Sequence, residues 1–260
     1  MQILSRPWGA MHIRADGPAE APRVIFANSL GTDLRLWEPL LPLLPPIRAL
    51  RYDKRGHGLS DDGGPAGIAD LAEDAIAFIE ATGGGPVVFV GLSIGGLIAQ
   101  AAAAARPDLF RGIVISNSAA RIGTAESWGE RIAAVRAGGI APIADAVLER
   151  WFAPAFRARP DCALWRNMLT RSPAVGYIAA CEAIAAADLT AATAALRLPA
   201  LVIAGEADGS TPPALVEATA RLIPGARFAV IPGAGHLPCV EAPAAHAALI
   251  TAFLKETGHV

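Results

Sequence analysis

Charge and cysteine are both in short supply in this chain. Of its 260 residues, 18% are Asp, Glu, Lys or Arg, the formal net charge is −2, and the few charges form no long run of one sign. A nucleic-acid or anionic-membrane surface needs clustered cations, so neither partner is expected, and a small molecule is left as the ligand class. The three cysteines, Cys162, Cys181 and Cys239, are odd in number and include no Cys-x-x-Cys pair. That spacing suggests neither a disulfide framework nor a zinc site, and they are read as buried free thiols; no metal is expected. No apolar run reaches the ~18 residues of a membrane span. The opening Met-Gln-Ile-Leu-Ser-Arg-Pro-Trp lacks a charged leader ahead of an apolar core, so the expectation is a soluble, cytoplasmic protein. Internal repeats of solenoid length are also missing.

What the chain does have is 53% hydrophobic residues and 26 glycines, and one stretch combines the two in an informative pattern. Val87 to Val90 is an apolar, β-branched run with the composition of a buried parallel strand. After Gly91-Leu92-Ser93-Ile94-Gly95 it gives way to Ala-rich sequence of helical composition. Gly-x-Ser-x-Gly between a strand and a helix is the pattern of a nucleophile elbow. Small flanking residues let the two elements approach while the Ser is held in a strained turn with its hydroxyl exposed.

Around that stretch, strand and helix signals alternate. Gln2 to Arg14 reads as an opening hairpin, and Arg23 to Ala27, Ile47 to Tyr52, Gly112 to Ser116, Leu198 to Ala204 and Arg227 to Ile231 read as strands. Leu34 to Leu44 and Ile68 to Ala81 carry helical spacing. Such alternation predicts an α/β fold with a doubly wound, mostly parallel sheet. Between residues 119 and 196 the strand signal disappears, and Ala-rich segments are punctuated by Gly138-Gly139, Pro142, Pro154, Pro160 and Pro173. We expect residues 1–118 and 197–260 to form the core and residues 119–196 a helical cap. An insertion there lies over the carboxyl ends of the strands, where open α/β sheets bind ligands.

A Ser nucleophile needs a base, and the base an orienting carboxylate. Among five histidines, His236 stands out because Pro232-Gly233-Ala234-Gly235-His236 follows the last strand and precedes a helix opening near Pro243. His12 falls in the hairpin, His57 in a Gly-punctuated loop, His246 within the last helix and His259 at a frayed end. Asp208, beyond Leu201 to Ala204, is the preferred acid over Glu206, with Thr211 expected to cap the helix that begins at Pro212. The oxyanion left after attack needs backbone N–H donors: Ile94, the residue after the nucleophile, and Leu30, in the loop after Arg23 to Ala27. Asp53, Arg55 and His57 are read as structural hydrogen-bonding groups.

Arg51-Tyr52-Asp53-Lys54-Arg55-Gly56-His57-Gly58-Leu59-Ser60, Gly91-Leu92-Ser93-Ile94-Gly95-Gly96 and Gly233-Ala234-Gly235-His236 occur in the order found in the α/β-hydrolase superfamily, which the whole chain resembles. Asn28 to Trp37, Ala120 to Thr124, Arg150-Trp151-Phe152 and Tyr177 to Leu189 resemble, more narrowly, the 3-oxoadipate enol-lactonases. Many superfamily members have His-Gly where this chain has Asn28-Ser29, a departure that agrees with the lactonases. The resemblance implies Ser93, Asp208 and His236 as triad, Leu30 and Ile94 as oxyanion donors, no metal or organic cofactor, and a lactone substrate from the β-ketoadipate route of aromatic catabolism. Such a lactone carries a carboxylate. Arg131 is its expected partner in the cap and Trp128 a pocket wall, while the other cap arginines, Arg150 included, are expected to face solvent and Trp151 and Phe152 to be cap core. The same triad would also serve a carboxylesterase, perhydrolase or carbon–carbon bond hydrolase. A non-catalytic small-ligand receptor on the same scaffold is the reading from another class.

Overall fold

The computed structural model describes residues 2–260. Eight strands form one sheet in the order β1-β2-β4-β3-β5-β6-β7-β8. β1 (Gln2–Arg6) and β2 (Gly9–Asp16) are the antiparallel hairpin, and β2 joins the rest by antiparallel pairing with β4 (Arg48–Tyr52). β3 (Arg23–Ala27), β5 (Val87–Leu92), β6 (Phe110–Ser116), β7 (Ala200–Gly205) and β8 (Arg227–Ile231) continue from β4 in parallel. Strand order reverses around β3 and β5, so loops at their carboxyl ends diverge and leave a crevice there. β5 and β7 are buried at every position, which is why they read as continuous apolar runs rather than alternating ones.

Helices cover both faces. α1 (Ile68–Ala81) packs on α2 (Ile94–Ala105), and α2 lies against β5 and β6. The expected helix over Leu34 to Leu44 is instead two short 3-10 turns, Leu34–Trp37 and Leu41–Leu43. Pro39 and Pro42 fall inside that stretch, and each removes a backbone donor that an α-helix would need.

From β6 the chain runs into α3 (Ala125–Gly138), α4 (Ala144–Trp151), α5 (Pro154–Arg157), α6 (Cys162–Thr170), α7 (Ala174–Ala186) and α8 (Thr190–Ala195) before returning at β7. α3 packs along α7 and α4 against α6, whereas α8 turns back onto α2 and α9 (Pro213–Leu222). A Cβ on Gly176 of α7 would collide with the backbone of Gly56, so this helix sits directly on the loop after β4. A short helix not foreseen from the sequence, α10 (Pro238–Glu241), precedes α11 (Pro243–Glu256). His259 is not frayed: it is buried, and one ring nitrogen bonds the Arg23 carbonyl oxygen at 2.8 Å. Cys162, Cys181 and Cys239 are buried and unpaired. Among the described residues no helix is long and apolar enough to cross a membrane.

Candidate active site

Ser93 stands between β5 and α2 with φ 58° and ψ −119°, a conformation that costs a non-glycine residue of order 1–3 kcal/mol. The turn is held from both sides. Ser93 N–H donates to the Ser116 carbonyl at 3.0 Å, and Ser118 Oγ donates to the Ser93 carbonyl at 2.7 Å. It also depends on missing side chains: a Cβ on Gly91 would meet the Gly95 carbonyl, and one on Gly95 the Ala27 carbonyl. The spacing Gly-x-Ser-x-Gly is therefore a record of two backbone approaches, helix to strand and helix to β3.

Asp208 and His236 meet on neighbouring loops, after β7 and β8. His236 Nδ1 lies 2.8 Å from Asp208 Oδ2, and both side chains are buried. The carboxylate receives four further hydrogen bonds: from Ser210 N–H (2.7 Å) and Thr211 N–H (3.0 Å) on Oδ1, and from Thr211 Oγ1 (2.7 Å) and Asn117 Nδ2 (2.8 Å) on Oδ2. Burial pushes the Asp208 carboxyl up. The charge and hydrogen bond of His236, with the bonds from Asn117 and Thr211, outweigh that and hold it below its ordinary value. An ionised Asp208 is an acceptor only, so Nδ1 carries the imidazole proton and Nε2 is left with its lone pair. Glu206, the rival carboxylate, is exposed and accepts from Gly233 N–H at 2.8 Å. Thr211 does not cap the helix beyond it, which has no side-chain cap; its hydroxyl serves Asp208 instead.

A single cavity collects most of the remaining candidates. Its walls include Leu30, Ser93, Trp128, Arg131 and His236. Ser93 and His236 both line it, with no hydrogen bond between Oγ and the imidazole among the described residues. Ile94, first residue of α2, is fully buried beside Ser93. Neither the Leu30 nor the Ile94 N–H has an acceptor among the described residues. On α3, the Arg131 guanidinium lies 4.9 Å over the Trp128 ring, and Trp128 Nε1 donates to the Ile122 carbonyl at 2.7 Å, which fixes the indole. Tyr177 also lines it, its hydroxyl buried and meeting no hydrogen-bond geometry among the described residues, and burial pushes it up to about 12 against the opposing influence of the nearby Arg131.

Three residues differ from their expected places or were overlooked. Arg150, expected to face solvent, is exposed yet lines the cavity, because α4 ends against the Asp208 loop, where Gly209 N–H donates to the Arg150 carbonyl. Trp151, expected in the cap core, is buried but also reaches the cavity, and its carbonyl accepts from His236 N–H at 2.7 Å. Asn117 was missed. It adopts φ 47° at the end of β6 and bridges Asp208 to the Gly235 carbonyl. The signal was there as a polar Ser116-Asn117-Ser118 step closing an apolar strand at the ligand-binding edge of the sheet. Asp53, Arg55 and His57 make structural bonds: Asp53 accepts from Leu34 and Leu59 N–H, and Arg55 pairs with Asp74 at 2.6 Å.

The sheet order, the strained Ser after β5 and the carboxylate–imidazole pair after β7 and β8 coincide with a match of residues 24–249 to the alpha/beta hydrolase family model. The chain belongs to the α/β-hydrolase family. Among the hydrolases it is similar to, 3-oxoadipate enol-lactonase 1 of Acinetobacter baylyi is 34% identical over 98% of this chain and 97% of its own length. The crystal structure of the enol-lactonase from Burkholderia xenovorans superposes with a TM-score of 0.94 at 36% identity, covering 98% of this chain and all of that one. A thermophilic esterase from Thermogutta terrifontis, at 29% identity, covers the whole of both chains with a TM-score of 0.91.

Proposed function

We propose that the protein is a serine hydrolase that opens 3-oxoadipate enol-lactone to 3-oxoadipate through an acyl-enzyme, in the β-ketoadipate route of aromatic catabolism. The observation that carries this reading is one cavity lined by Ser93, by the Asp208-oriented His236 and by the cation Arg131. Residues 119–196 act as the cap that admits and orients the lactone. Full-length similarity to proteins named enol-lactonases supports the same choice.

The chemistry follows from the groups present. His236 Nε2 takes the Ser93 hydroxyl proton as Oγ attacks the lactone carbonyl, and the Leu30 and Ile94 N–H groups receive the tetrahedral oxyanion. Collapse breaks the ring C–O bond and expels an enol oxygen, a weaker base than an alkoxide, which takes the imidazolium proton as it leaves and returns His236 to its neutral form. The enol remains tethered to the acyl group and could close again, but its ketonisation removes that nucleophile. Water then gives a proton to His236 and attacks the acyl-enzyme, and Ser93 leaves with that proton as 3-oxoadipate is released. Arg131 is the partner of the substrate carboxylate, with Trp128 and Trp151 as flat walls for the ring.

The test is direct. Purified protein mixed with freshly generated enol-lactone should remove its ultraviolet absorbance far faster than buffer does, with weaker turnover of 4-nitrophenyl acetate, and Ser93→Ala should lose both activities. Lactone decay at the buffer rate, with the aryl ester still cleaved, would leave a hydrolase of another substrate. Tight binding without turnover of either would point to a receptor.

A further inference from the structure

Lys54 is a buried amine with 3% of its surface exposed, on the loop between β4 and α1. Its Nζ donates to the Ser29 carbonyl oxygen at 2.7 Å, and no other acceptor takes it among the described residues. The same carbonyl accepts from Thr32 Oγ1 at 2.9 Å. Two residues after Ser29, Gly31 N–H donates to His57 Nε2 at 3.2 Å, while His57 Nδ1 bonds the Arg55 carbonyl oxygen at 3.0 Å. The imidazole is therefore the tautomer with its proton on Nδ1, fully buried, and burial with the nearby Lys54 charge keeps it neutral. Asp53 and Asp33 are the anions that oppose the burial of Lys54, which is pushed down to about 7. Taking this amine's charge out of water is unfavourable, whereas Met or Leu would fill the same core position without that penalty.

The Ser29 carbonyl and the Leu30 N–H belong to one trans peptide unit, since Gly85-Pro86 is the only cis bond among the described residues. In a planar trans peptide the two groups point in opposite directions. With the oxygen drawn to Lys54 and Thr32, and the next N–H engaged by His57, Leu30 N–H is turned away from this buried loop and toward the cavity that Ser29, Leu30 and Ser93 line. We infer that Lys54 is a positioning residue for the oxyanion hole, fixing the Ser29–Leu30 peptide plane and polarising its N–H through the carbonyl it binds. The inference rests on Leu30 being an oxyanion donor, as proposed above. The Lys54 donor at the carbonyl oxygen withdraws electron density through the amide, most strongly when the amine is protonated, so the N–H becomes a stronger donor at the moment negative charge develops. α7 pressing on Gly56 keeps the loop, and with it Lys54, in place.

The experiment compares the parent with Lys54→Met, which keeps the chain's length and apolar stem but removes its donor, counting competent sites in each by fluorophosphonate titration. Acylation and deacylation both pass through an oxyanion. The expected result is therefore a fall of about 10–100-fold in kcat per titrated site on both the lactone and 4-nitrophenyl acetate, with KM within twofold. Inhibition by an alkyl trifluoromethyl ketone, whose adduct with Ser93 carries an oxyanion, should weaken by a similar factor. A merely structural role would lower the number of titratable sites and leave the rate per site intact. Either that result, or a fallen kcat with unchanged affinity for the ketone, would overturn the inference. If Lys54→Met does not fold, Thr32→Val decides. A fall of about 3–10-fold in kcat per site at constant KM upholds the role of the Ser29 carbonyl, and parent-like rates refute it. A parent that cleaves the aryl ester but not the lactone refutes the lactonase reading alone, because the aryl-ester comparison still tests Lys54.

Discussion

In the proposed function Arg131 recognises the substrate's carboxylate while other groups carry the chemistry. Its guanidinium is stacked on Trp128 and lines the cavity that Ser93 and His236 also line. A charge-assisted hydrogen bond to a carboxylate contributes about 1.5–3 kcal/mol. Arg131→Met should therefore lower kcat/KM for the lactone by about 10–100-fold, mostly through KM, and change 4-nitrophenyl acetate turnover by less than about threefold. Equal losses on both substrates, measured by steady-state kinetics, would mean that Arg131 supports the fold of the cavity rather than the substrate's charge. The sequence singled out Arg131 by its place one turn after Trp128. It could not distinguish Arg150 from the solvent-facing arginines, because that residue reaches the cavity through the docking of α4 on the Asp208 loop and not through any local pattern.

At the scale of elements, the junction of β5 and α2 is set by how near two backbones come. The N-terminal turn of α2 lies so close to β3 that a side chain on Gly95 would run into the Ala27 carbonyl. Ala27 belongs to the strand that leads into the Leu30 loop, so the same approach sets the spacing between the Ser93 turn and that loop. Gly95→Val must push helix and strand apart. We expect a loss of at least about 3 kcal/mol in urea unfolding, with activity lost ahead of secondary structure as the denaturant rises. A parent-like unfolding midpoint would show that the helix can shift freely. Strands and long helices were legible because burial on both faces writes continuous apolar runs and amphipathic faces write a helical period. The 3-10 turns after β3 were not, since Leu36, Trp37, Leu40, Leu41 and Leu44 fit a helical period while Pro39 and Pro42 break the ladder.

For the molecule as a whole, one buried histidine sets part of the acid limit. His246 on α11 is fully buried, its Nδ1 has no partner, and burial pushes it down to about 3 from an ordinary value of 6.5. The folded protein keeps it neutral while the unfolded chain takes up a proton below about 6.5, so stability falls as pH drops from there to about 3. One such group contributes a slope of about 1.4 kcal/mol per pH unit in that window. His246→Leu should remove about that much of the slope between pH 6 and pH 4, read from urea unfolding at a series of pH values. An unchanged slope would mean the imidazole is charged in the fold. Asp208 acts lower down: its depressed carboxyl stabilises the fold above its ordinary value of 3.8, a contribution lost as pH falls through the still lower folded value.

By itself the sequence determined the α/β architecture, the Ser93 turn and the choice of Asp208 and His236. Period, Gly spacing and chain order are local properties that burial and close backbone approach impress on neighbouring residues. Only the tertiary structure decided which groups serve those residues. Asn117 reaches Asp208 across 91 positions, Trp151 holds the His236 backbone, Arg150 comes to the cavity with α4, and Lys54 grips the Ser29 peptide from 25 positions away. A hydrogen bond between distant segments leaves no periodic trace in either one, because each partner is a single polar residue whose purpose exists only where the chain folds back upon itself.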